Sequence, residues 1–239
     1  MRPIFHSELV NGDSGDPALF VDMQYMGRAL LVDLGGMAAL APRKMLRVDA
    51  VFVSHTHMDH FICFDRLLRV LVGRDRRISL FGPPGFADQV ESKLSAYTWN
   101  LVDHYDSELA FMVSELHPDG QCEKWAFSSK KGFARESLGR AAIPDGILMD
   151  ERMLRVRCAF LDHAIPCLAF AIEEKMHANI WKNRLQLLGL EPGPWLRVLR
   201  ESVLSCAPDD TKIDAGGREM TLSQLWSAVR IVPGQKTAM

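Results

Sequence analysis

Three imidazoles and a carboxylate fall within six residues, His55-Thr56-His57-Met58-Asp59-His60. A β-rich stretch, Val48 to Ser54, runs into them. Behind them Phe61, Phe64, Leu67, Leu68 and Leu71 recur at helical spacing, with Asp65, Arg66 and Arg69 on the wet face. The hexapeptide is therefore expected at the exit of a strand, just where the chain turns into an amphipathic helix. In an extended segment side chains alternate, so His55 and His57 point to one side and can reach one metal ion. As the chain turns, Asp59 and His60 swing toward a neighbouring position. Imidazole and carboxylate together suit zinc, with manganese or iron as further fits. A histidine-rich surface loop is the bland alternative, and it leaves the strand and helix frame unexplained.

The rest of the chain alternates short apolar runs with helical patterns, the mark of an α/β domain. Ala29 to Val32 reads as a strand ended by Asp33 and the turn pair Gly35-Gly36. Ile78 to Phe81 reads as another, stopped by Gly82-Pro83-Pro84-Gly85 and followed by a helix from Phe86 to Ala96. Residues 103–123 hold six acids and no Lys or Arg, whereas 124–140 hold Lys124, Lys130, Lys131, Arg135 and Arg140 against Glu136 alone. Both stretches read as solvated surface segments. A second basic stretch, Arg66, Arg69, Arg74, Arg76 and Arg77, reads as a soluble helix face and turn, with phosphate contact as its functional alternative. Period-two alternation at Leu154, Val156, Cys158 and Phe160, and again at Leu168, Phe170 and Ile172, brackets Asp162-His163-Ala164-Ile165-Pro166 as a β–loop–β unit. Further on, Gly193-Pro194-Trp195 opens a short helix and Asp214-Ala215-Gly216-Gly217 makes a turn. No linker stands out, so residues 1–239 are expected to form a single domain.

Composition removes several classes. No apolar run approaches the roughly 18–20 residues needed to span a bilayer. Lys and Arg number 28 against 30 Asp and Glu, which excludes wholesale phosphate binding by bulk charge while leaving local patches open. Five scattered cysteines without a CxxC pair, and an N-terminus without a basic-then-apolar leader, point to the reducing cytoplasm.

The motif HxHxDH after a strand resembles the metallo-β-lactamase fold, an αββα sandwich that binds one or two metals. Four further segments narrow the resemblance: LLVDLGG before the metal loop, LFGPPGF after the first long helix, DHAIPCLAFAI, and LGLEPGPWLRVL. In this order they resemble ribonuclease Z, the tRNA 3′-processing endonuclease. The resemblance implies that His55, His57 and His163 hold the first metal and that Asp59 and His60 hold the second. Asp59 would double as general base or proton shuttle, and Asp33 would orient the metal loop rather than bind the metal. It also implies zinc, two ions in a complete site with manganese as a substitute. The implied substrate is precursor tRNA, cut by a metal-bound hydroxide. Two ions about 3.5–4 Å apart can share a hydroxide and stabilise charge on a phosphoryl oxygen.

The family adds a metal-bridging aspartate and a last histidine beyond a segment like Pro233-Gly234-Gln235-Lys236. The αββα sandwich is thus expected to be C-terminally incomplete here, with the second site impaired and an exposed sheet edge that favours a homodimer. Three functions follow: a ribonuclease Z-like phosphodiesterase, a hydrolase of a small phosphodiester, lactone or thioester on the same fold, or a non-catalytic metal-binding form.

Overall fold

A computed structural model describes residues 4–24 and 26–239. Chain contacts sort these residues into two compact units. The larger comprises Ile4–Asp150, Arg155–Ile172 and Thr237–Met239; the smaller comprises Glu151–Leu154 and Glu173–Lys236.

The larger unit is built on an eight-stranded sheet whose strands follow chain order: β1 (Phe5–Leu9), β2 (Leu19–Met23), β3 (Arg28–Val32), β4 (Val48–Phe52), β5 (Arg76–Gly82), β6 (Leu109–Leu116), β7 (Gln121–Ser128) and β8 (Arg135–Ala142). From β3 to β6 neighbouring strands run parallel, and the flanking pairs are antiparallel. Parallel neighbours need crossovers. Helices α1 (Pro42–Met45), α2 (Met58–Phe61), α3 (Phe64–Leu71) and α4 (Phe86–Ser95) lie within those connections. Phe64, Leu67, Leu68 and Leu71 of α3 are at most 3% exposed and share one core with Val51, Phe111 and Phe127 of the sheet. Each such side chain contributes about 1.5–3 kcal/mol on burial.

The single helix expected from Phe61 to Leu71 is broken. The Cys63 amide bonds to the Leu34 carbonyl (2.9 Å) instead of the carbonyl four residues back, so a tertiary tether separates α2 from α3. The solvated segments expected at 103–140 are strands for most of their length, β6, β7 and β8, and of their charged side chains among the described residues only Glu115 is buried. Their charges occupy a ladder. Glu123 sits opposite Arg140 and the two side chains pair, while Arg135 pairs with Asp88 and Glu91 of α4 and lies over the Trp125 ring (3.9 Å).

A second sheet includes β9 (Ile147–Asp150), β10 (Leu154–Asp162) and β11 (Pro166–Glu174) as neighbours. It meets the other face of the large sheet through Phe170, whose ring lies 5.4 Å from Phe52; Phe52 in turn stacks on Phe81 at 4.9 Å. Helices on one face and a second sheet on the other give the α/β layering expected from the sequence.

The smaller unit contains β12 (His177–Ile180), α5 (Lys182–Leu187), α6 (Trp195–Leu204), β13 (Lys212–Asp214), β14 (Glu219–Thr221), α7 (Leu222–Leu225) and β15 (Val229–Val232). Trp195 opens α6 and is buried, and the turn at 214–217 joins β13 to β14, both as expected. Its core gathers Leu185, Leu199, Leu222 and Leu225, each fully buried. The chain closes with β16 (Lys236–Ala238), on the edge of the second sheet beside β11, where Phe170 and Met239 exchange two backbone hydrogen bonds.

Candidate metal centre

The metal loop leaves β4 as the sequence requires and is tied down along its length. Asp33 donates its amide to the Phe52 carbonyl (2.8 Å), Leu34 to His60 (2.8 Å), and Cys63 returns a bond to Leu34 (2.9 Å). The chain after β3 thus runs alongside the hexapeptide and grips both its ends. Gly35 belongs to the same clamp, because a Cβ there would meet the Asp59 carbonyl oxygen at 2.4 Å and that of Pro17 at 2.5 Å. No other residue fits so close an approach of backbones.

Asp33 is the polar hub behind the loop. It is 1% exposed and takes φ of 59°, a left-handed conformation that Asp tolerates better than most residues. Its carboxylate accepts from the Ser54 amide (2.7 Å), the Ser54 hydroxyl (2.9 Å) and His60 Nδ1 (2.8 Å). An ionised carboxylate only accepts, so the Ser54 proton points to Asp33 and the hydroxyl lone pairs face His55 Nδ1 at 3.0 Å. In the neutral ring this puts the proton on Nδ1 and leaves Nε2 as a free donor to a metal. Burial, with the neighbouring His60 and His57 rings, holds the His55 pKa below its ordinary value. Asp33 does the opposite for His60, whose pKa it raises by accepting the ring's hydrogen bond.

His55, His57 and His163 converge. One nitrogen of each lies within 4.8 Å of the others, with His55 buried and the other two exposed. His55 Nε2 and His57 Nδ1 stand 3.2 Å apart. His163 arrives from the connection between β10 and β11, where Asp162 accepts from the Ala164 amide (3.4 Å) and Ala164 has φ of 59°. The ring of His163 then lies 5.0 Å from that of His55. His60 adjoins them, its ring 4.0 Å from His55, and its Nε2 faces Asp59 Oδ2 at 3.5 Å. Asp59 is about half exposed. All five residues singled out in the sequence occupy this one patch.

Two neighbours escaped the sequence reading. Ser54 looked like the last residue of a strand, and only its hydrogen bonds reveal the link between Asp33 and His55. Cys167 places its sulfur 3.8 Å from His55 Nδ1; its period-two partners in β11 gave no hint of that. A second group, Glu115, His117 and Glu123, also brings its donor atoms within 4.8 Å. Arg140 holds Glu123 there, and the Ala87 amide bonds Glu115.

The donor set fits a divalent ion of the zinc type. Three imidazole nitrogens lie within 4.8 Å of one another, the pKa of one ring is lowered by burial, and the rear nitrogens of His55 and His60 are occupied by Ser54 and Asp33.

Comparison with known proteins gives a consistent set of relatives. No protein-family profile matches the chain. Ribonuclease Z of Deinococcus radiodurans is 32% identical over 174 residues, which is 72% of this chain and 52% of that protein. Ribonuclease BN of Proteus mirabilis is 23% identical over 174 residues, 72% of this chain and 47% of its own. The mouse zinc phosphodiesterase ELAC protein 1 is 29% identical over 177 residues, covering 66% and 47%. The chain therefore spans about half the length of the curated relatives it matches. Among solved structures, the short form of human tRNase Z (ELAC1) aligns with a TM-score of 0.46 at 19% identity, over 72% of this chain and 62% of that one.

Proposed function

We propose, from the premise that this chain is a homologue of ribonuclease Z across the 174 residues they share, that its imidazole cluster is the metal centre of a phosphodiesterase that trims the 3′ ends of tRNA precursors. The observation that carries the reading is the convergence of His55, His57 and His163 on one point in front of a buried, hydrogen-bonded Asp33.

His55, His57 and His163 would hold one divalent ion, zinc by the chemistry of the donors, and Asp59 and His60 would contribute to a second. When bound, such ions supply Lewis acidity toward a phosphoryl oxygen and bring the pKa of water toward neutrality. The chain's own residues supply the rest. Asp33 and Ser54 fix the orientation of His55 and His60, so that neither ring must be ordered when the ion arrives. Asp59 can hold a proton and exchange it with solvent, since its carboxylate is exposed and hydrogen bonds can form on either oxygen. A precursor cut after its discriminator base would leave a 3′-hydroxyl on the tRNA. The cytoplasm is the proposed setting. It is supported by five free cysteines, and among the described residues no helix is long and apolar enough to cross a membrane.

The test loads the protein with zinc and offers it labelled precursor tRNA beside a small thioester. Trimming of the precursor, lost in His55→Ala together with the bound zinc, is the expected result. Intact precursor with brisk thioester turnover would reassign the centre to small-molecule hydrolysis, and zinc content unaltered by His55→Ala would remove the centre altogether.

A further inference from the structure

Most of the cations in the two basic stretches conspicuous in the sequence are used inside the protein. Arg76 donates to the carbonyls of Leu46 and Val48, Arg74 to Val70, and Arg66 to Ala38. Lys130 bonds the Tyr105 carbonyl, Lys131 pairs with Glu136, Arg135 with Asp88 and Glu91, and Arg140 with Glu123. A guanidinium already engaged by backbone or carboxylate has few donors left for a phosphate. These stretches are therefore poorly placed to recognise phosphate.

The smaller unit offers another place. A cleft of about 680 Å³ there is lined by Arg152, Arg197, Arg200, His177 and Asn179. Its volume is within the range of about 300–1,000 Å³ of ligand sites. Among the described residues neither Arg152 nor Arg200 has a carboxylate partner, and Arg197 meets Glu201 only at 3.9 Å. Arg197 and Arg200 are three residues apart on α6 and so share a face. Glu201 is the one acid in the lining, against three guanidiniums. His177, also in the lining, is 9% exposed, and neither of its ring nitrogens has a hydrogen-bond partner; the nearest group, Glu174, is 3.6 Å away. A buried polar group left so costs free energy, and a ligand or ordered water normally satisfies it. Met176 and Leu204, 61% and 43% exposed, add apolar surface to the same cleft.

We propose that this cleft binds the phosphodiester backbone of a single-stranded RNA segment, through contacts made by residues outside the imidazole cluster. The proposal rests on the ribonuclease reading above. Planar guanidiniums bind phosphate oxygens in bidentate fashion, and two of these three are unpaired. The apolar side chains offer surface to bases, and the lining contains no Phe, Tyr or Trp ring, so binding is expected to be indifferent to base sequence.

The experiment measures binding of a short fluorescent single-stranded RNA to the 239-residue chain by anisotropy across a salt series, for wild type and for Arg152→Ala/Arg200→Ala. Each phosphate contact contributes about −0.7 to the slope of log K against log salt for single strands, so the double variant is expected to lose about 1.4 from that slope and at least tenfold in affinity. An unchanged slope and affinity would overturn the proposal, as would equal binding of an acidic peptide of matched charge, which would reassign the cleft to a protein partner. A far-ultraviolet circular dichroism spectrum and thermal melt, expected to be the same in both proteins, show that the variant is folded. If it is not, the charge reversal Arg200→Glu alone takes its place, with a loss of affinity expected and none refuting. Loss of RNA binding by the cleft variant and failure of the wild type to trim precursor tRNA are separate readouts, so the two readings fail separately.

Discussion

Replacing Asp33 by alanine removes the hub on which the metal loop rests. The carboxylate is 1% exposed and accepts three hydrogen bonds, from the Ser54 amide, the Ser54 hydroxyl and His60 Nδ1. A hydrogen bond to a charged group contributes about 1.5–3 kcal/mol. The hydroxyl can turn elsewhere and, 3.1 Å from His60 Nδ1, can accept from that ring, but the Ser54 amide loses its partner, so one such bond gives a loss of about 1.5–3 kcal/mol. Alanine at φ of 59° adds about 1–2 kcal/mol of backbone strain. Against a total stability of about 5–15 kcal/mol, the variant is expected to lose a large share of its margin. Asp33→Asn separates structure from chemistry. Its amide oxygen still accepts from Ser54 and its backbone tolerates the left-handed region, while its NH2 opposes the His60 ring instead of anchoring it. It should therefore fold, and lose about 10–100-fold in zinc affinity. Urea unfolding of metal-free protein reads the first effect, and competition with a chromophoric chelator reads the second. A loss under about 1 kcal/mol for the alanine variant, or unchanged zinc affinity for the asparagine variant, would refute the hub.

Gly35→Ala should cost about 1–3 kcal/mol, because its methyl would sit 2.4 Å from the Asp59 carbonyl oxygen; a thermal melt checks this, and an unshifted midpoint contradicts the close approach. Phe170→Ala should cost about 3–5 kcal/mol in urea, since that ring is 1% exposed and joins the second sheet to Phe52. Burial raises the Cys158 thiol pKa, so less thiolate is present at any given pH. At mildly alkaline pH a thiol reagent should label the exposed Cys206 first, with Cys158 catching up as pH rises; equal initial rates by peptide mapping would contradict this. Zinc at a hundred times its dissociation constant should stabilise the fold by about 2.7 kcal/mol, measured as a shift in unfolding midpoint that EDTA reverses.

The metal loop was legible because its chemistry and its frame coincide. A β-rich run and an amphipathic helix enclose the four ligand-type side chains, and alternation alone puts His55 and His57 on one side. His163 was legible through the two period-two runs that bracket it. Ser54 was not, since nothing in a sequence tells which way a hydroxyl turns. That 103–140 folds as strands was not legible, for a physical reason as well. Charges such as Glu123 and Arg140 face each other across neighbouring strands, so their cost on a sheet is offset by a partner that linear reading cannot see. The helix break at Ile62 and Cys63 was equally hidden, because its cause is a carbonyl nearly thirty positions upstream.

The clamp on the hexapeptide divides the centre into unequal parts. Backbone bonds to Asp33 and Leu34 brace the segment that carries His55, His57, Asp59 and His60, whereas His163 comes from a separate hairpin, joined to that segment where the Leu168 amide bonds the Ser54 carbonyl (2.9 Å). The third imidazole reaches the other two only while that junction holds, so changes in the hairpin, well away from the signature motif, should alter how firmly an ion is held.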